Sequence, residues 1–163
     1  MQEIERKFLV KELPDLSKLK PIIYERYFLK ITPDSEVRIQ AKGKKYELET
    51  KTNKSAISSK KEKKEITKDE FEKLKKKSKK SIIREGFLLS KKPETSIKVY
   101  HGDYEGLIRL EVEFKTEKEA NQFIPPPWAS KEITGTELGR DSSLIKLNKK
   151  QFRNILETFL YSN

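Results

Sequence analysis

Two glutamate pairs carry the densest chemistry in this sequence. Glu3 and Glu5 stand two residues apart, as do Glu111 and Glu113. A cation lies two residues from each pair, Lys7 after the first and Arg109 before the second. In extended chain, residues i and i+2 share a face, so each pair presents its carboxylates together. Paired carboxylates suit Mg2+ or Mn2+, hard cations that take oxygen ligands. Lysine and arginine suit phosphate oxygens, lysine as a point charge and arginine through its planar fork. A lumen holding a phosphate chain together with a metal ion needs both signs. An E-x-E pair is also frequent in lysine- and glutamate-rich strands, so neither pair decides the matter alone. Other chemistries are excluded outright. There is no cysteine, which removes a cysteine nucleophile, a thiolate metal site and a disulfide scaffold. His101 is the single histidine, so a multi-histidine zinc site is impossible. No Ser/His/Asp arrangement is visible, and His101 is expected to have no chemical role.

The elements that must position these residues are mostly strands. Period-two alternation, with breaks such as Pro33-Asp34-Ser35 and Lys42-Gly43-Lys44, predicts strands over 3–10, 22–31, 36–42, 45–51, 58–66, 81–89, 95–100 and 107–114. In the last of these, Arg109, Glu111 and Glu113 share one face, opposite Ile108, Leu110, Val112 and Phe114. Glu36, Arg38 and Gln40 oppose Val37, Ile39 and Ala41, and Glu47, Glu49 and Lys51 form a third charged set. Thr67 and Glu70 form a capping-box pattern, stapled by Ile66 and Phe71, which starts a helix. Thr116 and Glu119 repeat that pattern for a second helix, which ends before Pro125-Pro126-Pro127. The proline run reads as a stiff linker with Trp128 packed on the core. Asn148 caps a last helix, whose apolar face is Phe152, Ile155, Leu156, Phe159 and Leu160. Two architectures fit. An open antiparallel sheet would turn its apolar face to helices and its charged face to water. A closed sheet would line a lumen with the charged faces and point the apolar faces outward under helices. Alternation favours the first; the mixture of charges on each face favours the second.

At 163 residues the chain suits a single domain, 1–163, and its hydrophobic fraction of 34% against 39% charged implies a lean core. The net charge of +11 favours a polyanionic partner, or simply solubility and steering. Residues 60–80 hold eleven lysines against five acids. Lysine outnumbers arginine about four to one in the chain, and Phe71 is the only aromatic in that run. The run therefore reads as a solvated helix face rather than a nucleic-acid platform. No apolar run reaches the ~20 residues of a membrane helix. The opening MQEIERKFLV has no signal-peptide apolar region, so a cytoplasmic location is expected.

The first strand, Glu3-Ile4-Glu5-Arg6-Lys7-Phe8-Leu9-Val10, resembles the N-terminal E-x-E-x-K signature of the CYTH domain, or triphosphate tunnel metalloenzymes. The resemblance continues through Arg38, Lys51 and the strand holding Arg109, Glu111 and Glu113. It extends to Phe123-Ile124-Pro125-Pro126-Pro127-Trp128, similar to a stretch of short bacterial members, and so covers nearly the whole chain. It implies an α+β, mainly β fold: a closed eight-stranded antiparallel β-barrel forming a tunnel, with helices packed outside. It implies a hydrolase of inorganic triphosphate or an organic triphosphate, dependent on Mg2+ or Mn2+ and using no covalent nucleophile. Carried onto this sequence, Glu3, Glu5, Glu111 and Glu113 are the metal-side carboxylates. Lys7, Arg38, Lys51, Arg84 and Arg109 hold the substrate. Glu5, Lys7 and Glu113 are the catalytic residues, with Glu113 orienting the attacking water. The implied partner is a triphosphate-containing small molecule, without nucleic acid or membrane, and a homodimer is admitted.

Several positions depart from the family pattern. Gln40 stands where a second arginine is usual, and Arg84-x-Gly86 replaces a K-x-R pair. Lys98 occupies an acidic position, where its ammonium would replace one metal's charge. The usual R-x-E-x-E register is blurred in Lys60–Glu65, leaving Glu65 as the residue expected to keep its role. Glu137-Leu138-Gly139-Arg140-Asp141 replaces a basic stretch. Each change removes a phosphate donor or a metal ligand. Three alternatives follow: a catalytically impaired tunnel that binds a triphosphate or nucleotide, a class IV-type adenylate cyclase, and a nucleic-acid module resting on residues 60–80.

Overall fold

The computed structural model describes residues 1–162. The strands are β1 (Gln2–Val10), β2 (Ile22–Ile31), β3 (Ser35–Lys42), β4 (Lys45–Asn53), β5 (Ser58–Ile66), β6 (Ile82–Lys91), β7 (Glu94–Tyr100), β8 (Ile108–Phe114) and β9 (Ala129–Glu132). The helices are α1 (Lys68–Lys75), α2 (Glu117–Gln122), α3 (Asp141–Leu144) and α4 (Lys149–Tyr161), with a 3₁₀ turn at Gly102–Tyr104. Neighbours run β5-β4-β3-β2-β6-β7-β8-β1, and β1 pairs back onto β5, all antiparallel. The sheet is therefore a closed barrel of eight strands, and the open sheet is overturned. The closing contact is short: Gln2, Glu3 and Ile4 face Lys60, Ser59 and Ser58. It removes the two edges that an open arrangement would leave unpaired. Beyond it, β9 takes over the same edge of β1, pairing at Phe8 and Val10.

Closure turns the usual order of faces inside out. Phe8 and Val10 of β1, Ile97 of β7, and Leu110 and Val112 of β8 point outward into one buried cluster, covered by Phe123 and Trp128. On the other side Ile39, Ala41 and Ile66 pack under Phe71 of α1. Burying a side chain such as Phe71 contributes roughly 1.5–3 kcal/mol. α1 starts where the capping box predicts: Thr67 accepts from the Glu70 amide, and Glu70 reaches back to the Thr67 amide. At α2 only half of that pattern forms. Thr116 accepts from the Glu119 amide, but the Glu119 carboxylate receives the Lys115 amide instead. α4 is capped by Asn148 and Gln151 in a complete box and buries Phe152 and Leu156; Leu160, at the end of its apolar face, stays exposed.

The third cluster closes one end of the barrel. Leu9, Phe28, Ile82 and Leu107 share the inward face with Lys7, Arg26, Arg84 and Arg109, so the interior changes from charged to apolar along its length. Leu138 and Leu144 of the C-terminal segment, with Phe152 and Leu156 of α4, fill that end. The segment turns tightly against itself at Gly139, where a Cβ would stand 2.0 Å from the Ile133 carbonyl oxygen, so only glycine fits. β9 and α3 were not expected from the sequence. No described helix is long and apolar enough to cross a membrane.

Candidate active site

The residues of the barrel's inner face sort into a carboxylate group and two basic groups. Strand register produces the first. Glu5 of β1 lies opposite Glu113 of β8, and Glu3 follows Glu5 two residues along the same face. Ligand oxygens of Glu3, Glu5 and Glu113 lie within 4.8 Å of one another. Glu94 of β7 stands opposite Glu113 in the register and brings a fourth carboxylate to the rim. Burial, together with Glu3, Glu94 and Glu5, pushes the Glu113 carboxyl up to about 8. Burial acts the same way on Glu5, but the ammoniums of Lys51 and Lys7 outweigh it and hold Glu5 well below the ordinary carboxylate range. Glu3 is held below it too: burial and Glu5 oppose ionisation, and Lys51, Lys61 and Lys7 overcome them.

Lysines come next. Lys51 lies 3.1 Å from Glu5 and 3.2 Å from Glu3. Lys7 lies 3.2 Å from Glu5 and donates to the Gly139 carbonyl at 2.9 Å, tying β1 to the C-terminal segment. Lys61 bridges Glu3 and Glu49 at 3.4 and 3.0 Å.

Arginines form the inner group. Arg38 pairs with Glu36 at 2.9 Å, and Arg109 donates to Glu111 at 2.7 Å. Arg84 reaches the same Glu111 at 3.3 Å. Arg26, Arg84 and Arg109 then converge on Asp141 at 2.7, 3.6 and 3.2 Å, and the Tyr100 hydroxyl donates to it at 2.7 Å. Burial opposes the Asp141 charge, yet these guanidiniums hold its carboxyl well below the usual range. Arg84 Nε is a buried donor with no hydrogen-bond partner among the described residues, whereas Arg38 Nε faces the buried Glu49 carboxylate at 3.5 Å. A buried guanidinium N–H without an acceptor is costly, and an anion would satisfy it.

The nine residues expected to form the site thus all face one polar cavity. They do not act as one set. Glu111 stands apart from the three clustered glutamates: Arg109 and Arg84 hold it, and their charge, against burial, keeps it ionised. Glu65, expected to keep a role in the site, lies outside this cavity. It is exposed and lines a separate depression with Lys45, Glu47 and Lys63. Gln40 replaces a guanidinium but recruits another, since its amide oxygen accepts twice from Arg26, at 2.9 and 2.6 Å. The sequence signal for Arg26 is its inward parity with Tyr24 and Phe28 on β2. Asp141 carried none, lying in an irregular segment. A wider groove of about 610 Å3 opens at the rim, between the β6–β7 turn and α2, with Glu94 and Glu113 on its wall.

Three clustered carboxylates fit a hard divalent cation by donor type and spacing. The buried arginines and lysines fit a polyanion. A closed barrel with such an interior is a triphosphate-tunnel architecture, and comparison with known proteins agrees. No family model matches the chain. The chain is 32% identical over 138 residues to an inorganic triphosphatase of Nitrosomonas europaea, covering 82% of this chain and 90% of that one. A crystal structure of an inorganic triphosphatase superposes with a TM-score of 0.65 at 28% identity, over 88% of this chain and 93% of the other. An adenylyl cyclase candidate from Hippeastrum, described as having a dominant triphosphatase activity, superposes with a TM-score of 0.52 over 73% of this chain and 82% of its own. At 14% identity it shows the fold alone. The chain belongs to the CYTH-like triphosphate tunnel family.

Proposed function

We propose that this chain hydrolyses inorganic triphosphate inside the barrel with the help of Mg2+ or Mn2+. One observation carries the proposal: a cluster of three carboxylates adjoins buried cations, with an unpartnered Arg84 Nε–H among them, within one closed polar lumen. The similarity to an inorganic triphosphatase supports the choice of substrate. Glu3, Glu5 and Glu113 would hold the metal ion. When bound there, the ion supplies positive charge to the phosphoryl oxygens and offsets the charge developing on them. Arg38, Lys51, Arg84 and Arg109 bind the phosphate chain, and the spare Nε–H of Arg84 donates to it. Lys7, fixed by Gly139 and Glu5, presents its ammonium beside the metal-side carboxylates.

Glu113 has no ion-pair partner among the described residues, so one of its oxygens could serve the metal ion while the other orients water against the terminal phosphorus. Attack forms a new P–O bond and breaks the bridge to the next phosphorus. Orthophosphate and diphosphate are released, and the water proton passes by way of the Glu113 carboxylate to solvent. Every catalytic contact is noncovalent. Purified protein given tripolyphosphate and Mg2+ or Mn2+ should release phosphate. Glu113→Gln should lower kcat by about 10²–10⁴-fold, the usual range for a group that handles a reacting proton. The variant should still bind tripolyphosphate. An unmutated chain that releases nothing from tripolyphosphate, ATP or thiamine triphosphate with either metal is not a triphosphatase.

A further inference from the structure

Among the described residues, Lys98 is the buried cation of this tunnel without an ion-pair partner. It sits on the inward face of β7, beside Arg109 of β8 and Gly86 of β6. The residue is 8% exposed. Lys7, Arg26, Arg38, Arg84 and Arg109, the other buried basic residues described, each have a carboxylate within 3.3 Å. Lys98 has neither an ion-pair nor a hydrogen-bond partner among the described residues. Its ammonium instead lies over the Tyr24 ring, 4.5 Å from the centroid. Gly86 makes the room. A Cβ there would stand 2.6 Å from the Tyr24 ring and 3.1 Å from Lys98 Nζ. Burial pushes the ammonium down to about 8, with Glu111 opposing and Arg84, Arg26 and Arg109 adding to the fall.

An uncompensated buried charge works against folding. An aromatic face attracts the ammonium but neutralises none of its charge. Glu111 attracts it from beyond ion-pair distance and is already held by Arg109 and Arg84, so the remaining counter-charge is to be sought in what enters the lumen. We propose that Lys98 is a phosphate-binding residue whose counterion is the substrate's phosphoryl chain, with Gly86 and Tyr24 forming its cradle. The proposal rests on the reading of this lumen as a triphosphate site. It adds a binding group to Arg38, Lys51, Arg84 and Arg109, and to Lys7 beside them. Those five already share carboxylates, and Lys98 meets the polyanion without first giving up a partner. Its role is also distinct from standing in for a metal's charge, because its ammonium lies over Tyr24 and not among Glu3, Glu5 and Glu113.

The test pairs binding with stability in the full chain. Calorimetry with tripolyphosphate in excess EDTA measures affinity without turnover, and thermal unfolding without ligand measures the fold. Lys98→Met should weaken tripolyphosphate binding by about 10- to 100-fold, the usual yield of a charge-assisted contact. Its Tm should equal or exceed that of the unmutated chain, because an unpaired charge has been removed. Lys98→Gln, which keeps a polar end without charge, should lose affinity likewise. Unchanged affinity in both variants overturns the proposal. So does a Tm lowered by several degrees, or failure of both to fold, since either makes Lys98 a structural partner of Tyr24. The two proposals fail separately. A chain that binds tripolyphosphate through Lys98 but never hydrolyses it loses the enzymatic function alone. A chain that hydrolyses it with Lys98 dispensable loses the inference alone.

Discussion

Replacing Asp141 with asparagine removes the one negative charge that three buried guanidiniums share. Arg26, Arg84 and Arg109 lie 2.7, 3.6 and 3.2 Å from its oxygens, and both Asp141 and Arg109 side chains are 1% exposed. Removing one partner from a buried ionic cluster costs about 3–5 kcal/mol, because the remaining charges stay buried. Glu111 still engages Arg84 and Arg109, but Arg26 keeps only Gln40. For a chain of this size each kcal/mol lowers Tm by about 2–4 °C, so the loss should be roughly 6–20 °C. Urea unfolding at pH 7 gives the free energy directly. The pH dependence supplies a second signature. The folded Asp141 carboxyl titrates well below its unfolded value, so its stabilisation is present above that unfolded value, ~3.9, and is lost as pH falls below it. The stability curves of the two proteins should therefore converge in acid. A variant within about 1 kcal/mol of the parent at pH 7, or a gap that fails to narrow below pH 4, refutes the reasoning.

Gly86→Ala places a Cβ 2.6 Å from the Tyr24 ring, and overpacking of this kind should cost about 1–3 kcal/mol in urea unfolding. Phe152→Ala empties the apolar end of the barrel, where the ring packs edge-on to Tyr104 at 5.3 Å, and should cost about 3–5 kcal/mol by the same measurement.

The strands were legible because their signal is local. β2 and β5 begin and end where alternation and turn residues place them, and the other six expected strands differ by one or two residues at an end. Helix starts were legible at all three caps, Thr67, Thr116 and Asn148; the full box forms at the first and last, and at Thr116 the Glu119 carboxylate satisfies the amide one residue earlier. Closure was harder to read. It depends on pairing Glu3 with Ser59 across more than fifty residues, and β5 is polar on both faces, with Lys60, Glu62 and Lys64 exposed, so its own pattern specifies register weakly. β9 escaped notice because four residues after a proline run show no usable period and exist as a strand only by adding to β1. The carboxylate site was visible as far as i, i+2 spacing reaches. That spacing pairs Glu111 with Glu113 but cannot say that Arg109 and Arg84 claim the first and leave the second to Glu3 and Glu5. Asp141 depends on the path of the C-terminal segment into the barrel end, which no local pattern encodes.

Crystals soaked with Mn2+ and a slowly hydrolysed triphosphate analogue would examine the tunnel most directly. The account predicts an anomalous peak coordinated by Glu3, Glu5 and Glu113, with the phosphorus chain running from it along Arg38, Lys51 and Arg84 inside the barrel. A manganese peak away from those three carboxylates, or an analogue bound only on the outer surface, would contradict it.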